Sequence, residues 1–423
     1  MSNEAHGTKG VNGTYAAYSD YLALLASKPA ESLALVDEGV CYTYGQLVQE
    51  ALRLRQGADF SQMAIFIHEN SIAGQLLQFL AYSGTQTRPI IATELSKKQE
   101  FRVDSIPERA CMGVMTSGST GKSKLLWRSY ASWASFFPEQ NHVFGIDAST
   151  VIFCQGSLAF TGNLNIYMGV LAAGGTLVVT EKFRPKHWLE LMQQYAVNTL
   201  YLIPSKLLLL PKCIAEPNPS IRHIISGSQT MGRREADKLL EIFPNAEITL
   251  YYGASELNYI TYIKDGEMTE DRTVIGRPFA GVGITIKNEE IFIDTPYHVE
   301  GIELPFSLKD RGYVDEQGRL HFLGRTDDIC NVNGRKVSSM KVNAALTELP
   351  GVVEAAVLAK HVGDADMLIA FVVAEREYSK QELVKLLRES LADYELPKQF
   401  VFLKALPRNE SGKVDKLVLA DFN

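Results

Sequence analysis

The chain has 423 residues, 46% hydrophobic and 22% charged, which is ordinary globular usage and excludes disorder, collagen or coiled coil as a description of the whole. At roughly 150 residues per domain, the length allows about three packing units. With 42 basic against 49 acidic side chains the formal charge is −7, which excludes a broad nucleic-acid-binding face and leaves any phosphate site local.

The apolar spacing predicts helices over 16–26 and 44–54, a short buried strand at 63–67, a helix over 72–82 and a strand at 88–92. An apolar run ending at 113–115 leads into a Gly/Ser/Thr/Lys loop, and a helix is expected from Tyr130. Strands at 175–179, 199–203, 221–225 and 248–250 then alternate with helices over 188–195 and 233–242. Such alternation predicts mostly parallel sheets covered by helices. From 276 to 323 the period changes to two, with runs at 283–286, 290–293 and 319–322, and an antiparallel, barrel-like section is expected. Beyond Arg325, strands at 352–358 and 368–373 and a helix opened by Ser379 and Glu382 as a capping box predict a compact α+β unit. The polar stretch 325–333 marks the boundary. The expected architecture is therefore α/β: a large layered N-terminal domain over residues 1–325, with parallel sheets and a barrel-like section, and a small α+β C-terminal domain over 328–423.

The cysteines Cys41, Cys111, Cys154, Cys213 and Cys330 show no C-x-x-C spacing, so neither a zinc ribbon nor a redox pair is indicated. The histidines form no H-E-x-x-H pair, and no G-x-S-x-G elbow occurs. The polar first residues lack a signal-peptide layout, and the greasiest stretch, 200–211, is interrupted by Pro204 and Lys206 and is too short to span a bilayer. A cytoplasmic protein without a membrane span is expected.

The strongest local signal is Thr116-Ser117-Gly118-Ser119-Thr120-Gly121-Lys122-Ser123-Lys124. Its glycines let backbone N–H groups converge on an anion, its hydroxyls can donate to phosphate oxygens, and Lys122 and Lys124 supply charge. A Walker A loop would need glycine where Thr116 stands. The run resembles instead the signature of the acyl-adenylate-forming superfamily, which includes acyl-CoA synthetases, peptide-synthetase adenylation domains and luciferases, with Ser123 in place of the usual proline.

Further motifs follow in the family's order. Tyr251-Tyr252-Gly253-Ala254-Ser255-Glu256 resembles its aromatic-Gly-x-[ST]-Glu motif. The resemblance gives Tyr252 the adenine face, Ser255 a hydroxyl on the α-phosphate and Glu256 the Mg²⁺, an ion that prefers hard oxygen ligands; Tyr251 is expected to pack in the core. The turn containing Gly227 and Ser228 is similar to the glycine-rich segment beside adenine. Asp310 resembles the ribose-binding carboxylate, Arg325 the adjoining arginine, Asp327 the hinge and Gly334 the glycine that approaches a pantetheine arm. The run Pro407 to Asp415 matches the terminal P-x-x-x-x-G-K pattern, which makes Lys413 the catalytic lysine. Taken alone it would be read as a surface lysine in a tail.

The resemblance implies ATP- and Mg²⁺-dependent activation of a small carboxylic acid to an acyl-adenylate, then transfer to coenzyme A or an acyl carrier protein. The acyl pocket falls on Phe160, Thr161, Gly162 and Asn163. Amino-acid-activating members carry an aspartate where Thr161 stands, and a buried ammonium without a carboxylate is costly. An aryl or aliphatic acid is therefore expected. The chain also departs from the family: the segment from Pro89 to Thr116 is short, and Asn331 and Asn343 replace a common lysine and glutamate. Those departures keep open a relative that adenylates or binds nucleotide without making a thioester. A P-loop nucleoside triphosphatase is the weaker alternative.

Overall fold

A computed structural model describes residues 20–92, 101–116, 124–332, 335–362, 365–409 and 414–422. In chain order the strands are β1 (Leu33–Asp37), β2 (Val40–Thr43), β3 (Ala64–Ile67), β4 (Arg88–Ile91), β5 (Ala110–Thr116), β6 (Lys124–Ser129), β7 (Val151–Gln155), β8 (Thr176–Thr180), β9 (Thr199–Tyr201), β10 (His223–Gly227) and β11 (Glu247–Ala254). They continue as β12 (Asn258–Lys264), β13 (Val274–Pro278), β14 (Gly283–Lys287), β15 (Glu290–Asp294), β16 (Phe306–Val314) and β17 (Leu320–Arg325). The last five are β18 (Ile329–Val332), β19 (Arg335–Ser338), β20 (Val352–Val362), β21 (Ala365–Ala374) and β22 (Gln399–Phe402).

One sheet runs in the order β14-β15-β16-β17-β13-β12-β11-β10-β9-β7-β8-β1-β2. From β11 to β1 the pairing is parallel. These strands are apolar on both faces, as helix-covered parallel strands must be. Period two then divides their side chains: Leu177 and Val179 enter one core and Val178 the other, while Ile152 and Cys154 face away from Phe153. The helix Thr161–Ala173 contributes to the first core; Pro185–Gln194 and Arg233–Leu240 contribute to the second. The expected barrel-like section corresponds to the antiparallel strands β13 to β17, which extend this sheet through the antiparallel β12 rather than standing apart.

A second sheet, β3-β4-β5-β6, is parallel except at β6. Strand β6 was not expected, because KLLWRS shows no clean alternation. Residues 124–129 pair back onto β5, with Thr116 opposite Lys124, before the helix Tyr130–Ala134 begins.

Past Arg325 come the hairpin β18-β19 and the sheet β20-β21-β22, with a core of its own built from Val337, Leu346, Leu368, Ala370, Val372 and Leu387. The helix Lys380–Leu387 opens where Ser379 was expected to cap it, its hydroxyl accepting from the Glu382 N–H at 3.1 Å, an interaction worth about 1 kcal/mol. Lys212 and Glu375 form an ion pair of 3.4 Å between the large sheet's side and this unit. No described helix is long and apolar enough to cross a membrane.

Candidate active site

Strands β7, β9 and β10 end at Gln155, Tyr201 and Gly227, on the carboxyl edge of the parallel sheet, where open α/β sheets bind ligands. Two cavities lie there. A cleft of about 1690 Å³ is lined from one side by Thr116, Lys124, Tyr252, Glu256, Asp310 and Arg325 and from the other by Lys336, Lys341, Arg408 and Val414. A deeper cavity of about 400 Å³ is lined by Phe160, Thr161, Gly162 and Asn163, with Gln155, Tyr201 and Lys206. Both are bounded by Ser228, Tyr251, Gly253, Ala254 and Ser255, so one short wall serves the two.

That wall is built by close packing. A Cβ on Gly227 would lie 2.4 Å from the Tyr251 ring, and one on Gly162 would lie 2.7 Å from the Tyr201 hydroxyl, so the tyrosine pair requires both glycines. Tyr201 and Tyr251 join through their hydroxyls at 2.8 Å, and Tyr251 packs on Tyr259 as a core residue, in keeping with the expectation for it. Ser228 then turns through a positive φ of 67°. Ser255 Oγ lies 3.0 Å from Thr161 Oγ1, which brings together two hydroxyls expected on opposite substrates.

On the cleft side the Tyr252 hydroxyl donates to Asp310 Oδ2. Asp310 is 5% exposed, and burial pushes its carboxyl above the usual range against the opposing pull of Tyr252 and Arg325. Arg325 Nε is 3.5 Å from Asp310 Oδ1, an ion pair without a hydrogen bond, and Nε has no hydrogen-bond partner among the described residues. The result is a polarised pair with an unused buried donor. Tyr252 also packs against Phe322, with 5.7 Å between ring centroids.

Several expected residues lie outside the described residues: Ser117, Gly118, Ser119, Thr120, Gly121 and Lys122 of the phosphate loop, Gly334, and Lys413. The flanks of two of these segments are described. Thr116 and Lys124 are paired across β5 and β6, and Arg408 pairs with Val414, the next described residue after Lys413. Asp327 falls in the turn Thr326–Asp328 between β17 and β18. The segment after the phosphate loop is a strand and not a helix, which removes the helix N-terminus a P-loop needs.

Two residues went unassigned by the sequence. Arg128 is 0% exposed, and its guanidinium donates from Nη2 to the Ser255 carbonyl at 2.8 Å and from Nη1 to the Tyr297 carbonyl at 3.0 Å. Burial lowers its pKa to about 10, so it remains a cation beneath the Ser255–Glu256 turn. The signal for it was an arginine inside the apolar run of β6. In the sequence Lys206 stands out only as an interruption of an apolar stretch. Its ammonium donates to Gln155 Oε1 in the deeper cavity, and burial, with repulsion from Arg408, lowers its pKa to about 8.

A helix-covered sheet continued by antiparallel strands, with a small α+β unit facing its carboxyl edge, is the architecture of adenylate-forming enzymes. Residues 69–302 match the model described as AMP-binding enzyme and residues 341–413 the model described as AMP-binding enzyme C-terminal domain, and the chain belongs to this family. It is an enzyme of the AMP-forming acid–thiol ligase class. Among curated proteins it is 29% identical over 328 residues to an uncharacterized acyl-CoA ligase of Bacillus subtilis, covering 73% of this chain and 67% of that one. It is 27% identical over 346 residues to the D-alanine–D-alanyl carrier protein ligase of Lactococcus lactis, covering 73% and 69%. Among solved structures, the O-succinylbenzoate coenzyme A synthetase of Bacillus subtilis in complex with AMP superposes with a TM-score of 0.81 at 18% identity, covering 96% of this chain and 98% of that one.

Proposed function

We propose that this enzyme uses ATP to activate a small carboxylic acid, aryl or aliphatic, as its acyl-adenylate, with release of pyrophosphate, and passes the acyl group to the thiol of coenzyme A or a carrier protein. The single observation that carries the reading is the shared wall. Ser255 borders both cavities and sits 3.0 Å from Thr161, so a carboxylate in the deeper cavity and a nucleotide in the cleft meet at one side chain.

Joining a carboxylate to a phosphate requires two anions held in line and their repulsion offset. Residues 116–124 are assigned to the β- and γ-phosphates, with Thr116 and Lys124 at the base. Asp310 accepts from the ribose hydroxyls, and Arg325 Nε, buried and unbonded, is a donor of the kind a sugar or phosphate oxygen would use. Tyr252 holds Asp310 and offers its ring to adenine. Gly227, Ser228 and Gly253 line the backbone beside the base. Glu256 borders the cleft and offers a hard carboxylate oxygen, which suits Mg²⁺ shared with phosphate. Bound there, Mg²⁺ would neutralise phosphate charge. Lys413 would reach the reacting carboxylate and α-phosphate, and Asp327 would let residues 328–423 swing so that Gly334 meets the incoming thiol.

The test is ATP–pyrophosphate exchange across aryl, aliphatic and amino acids, repeated with coenzyme A and with a carrier protein while the acyl-thioester is monitored. Acid-dependent exchange is expected. Release of γ-phosphate without any acid would refute the reading. Adenylate formation without a thioester would favour the one-step alternative, to which Asn331 and Asn343 point.

A further inference from the structure

The deeper cavity holds a cation, Lys206, to which the adenylation chemistry described above assigns no role. Lys206 stands on the short helix Pro204–Leu207, directly after β9, and that helix is pinned by the fully buried Leu207. The ammonium donates to the side-chain oxygen of Gln155 at the end of β7. Among the described residues no carboxylate pairs with it. Gln155 is itself held, donating from Nε2 to the Glu181 carbonyl at 2.7 Å, so lysine and glutamine form a fixed polar edge. Two carboxylates also border the cavity. Glu69 is at an exposed rim, and Glu181 Oε1 already accepts from Gln75 Nε2 at 3.0 Å. Ser157 and Asn163 add polar groups, and the volume, about 400 Å³, suits a compact ligand.

A partly buried ammonium with only a neutral amide acceptor is an unfinished ion pair. We infer that the acid activated here carries a second carboxylate, which Lys206 and Gln155 receive while the first carboxylate faces Ser255. The enzyme is thus a ligase for a small dicarboxylic acid. The inference rests on the adenylation reading above and specifies its substrate class. Thr161 leaves no carboxylate for an α-ammonium, and Lys206 supplies the opposite charge for an anionic tail.

The test is acid-dependent ATP–pyrophosphate exchange with straight-chain substrates of three to eight carbons, each offered as the diacid, its monomethyl ester and the ω-amino acid. The diacid of the best length is expected to exceed its monoester at least 10-fold in kcat/KM. In Lys206→Met the diacid should fall about 100-fold, as when one partner of a buried charge pair is removed, and its advantage over the monoester should vanish. Lys206→Gln, which keeps a polar contact to Gln155, separates a packing role from a charge role. It too should lose the diacid preference. The inference is overturned if the wild type prefers monoesters or ω-amino acids, or if both variants lower every acid by the same factor. Absence of exchange with every acid would instead overturn the adenylation reading, and this inference with it.

Discussion

Replacing Tyr252 with phenylalanine removes one atom from the nucleotide side of the site and leaves the ring. That hydroxyl donates to Asp310, a carboxylate 5% exposed whose pKa burial already raises. A hydrogen bond to a charged group is worth about 1.5–3 kcal/mol, so its loss should raise the Asp310 pKa further. The Arg325 contact at 3.5 Å is too loose to compensate. In the ribose-binding role proposed above Asp310 must be ionised to accept from two hydroxyls, and that form is lost as pH falls through its pKa. The acid limb of kcat/KM for ATP should therefore move to higher pH in Tyr252→Phe, while the response to the acid substrate at saturating ATP stays close to wild type. The assay is pyrophosphate exchange from pH 5 to 9 with ATP varied. An unmoved acid limb, or an equal loss in the ATP and acid parameters, would refute the link from Tyr252 to Asp310 to ribose.

Lys413→Ala should lower adenylation by about 10² to 10³ while nucleotide binding persists, and wild-type exchange would remove Lys413 from the mechanism. Asp327→Pro should spare exchange and abolish thioester formation, so equal loss of both steps would contradict a hinge there. In Arg128→Met the carbonyls of Ser255 and Tyr297 each lose a charged donor, and kcat should drop with little change in either KM; Arg128→Lys, with one nitrogen for two carbonyls, should not restore it, and restoration would mean charge alone is needed. The ammonium of Lys206 has a pKa lowered to about 8 by burial, so preference for a diacid should fade as pH rises through 8 and be strongest below it; a preference flat from pH 6 to 9 would speak against an ionic contact.

Most of the fold was legible because hydrophobic period and turn chemistry agree along the chain. The helix Ile72–Tyr82 and the strands around Leu177 and Ile224 fall where their spacing placed them, within a residue or two at their ends, while the strand expected at 248–250 runs on to Ala254. Strand β6 was hidden because Lys124 to Ser129 is half-buried without alternation and its pairing with β5 is a long-range fact. The site divides in the same manner. Motif residues such as Tyr252, Ser255 and Asp310 were readable from local order. Arg128 and Lys206 were not, because each acts through a partner brought close only by folding: Ser255 lies 127 positions from Arg128, and Gln155 lies 51 from Lys206.

The wall from Gly253 to Ser255 has a consequence for how such an enzyme can change its diet. A side chain that both recognises one substrate and touches the chemistry of the other is a poor place to accept mutations. Substituting Thr161 to admit a new acid would disturb the Ser255 hydroxyl proposed above to meet the nucleotide, so gain of specificity there should come with loss of rate. Gln155, Asn163 and Lys206 line the deeper cavity but lie outside the wall shared with the cleft. Variation among descendants of this chain, natural or designed, should concentrate on those residues and leave the wall intact.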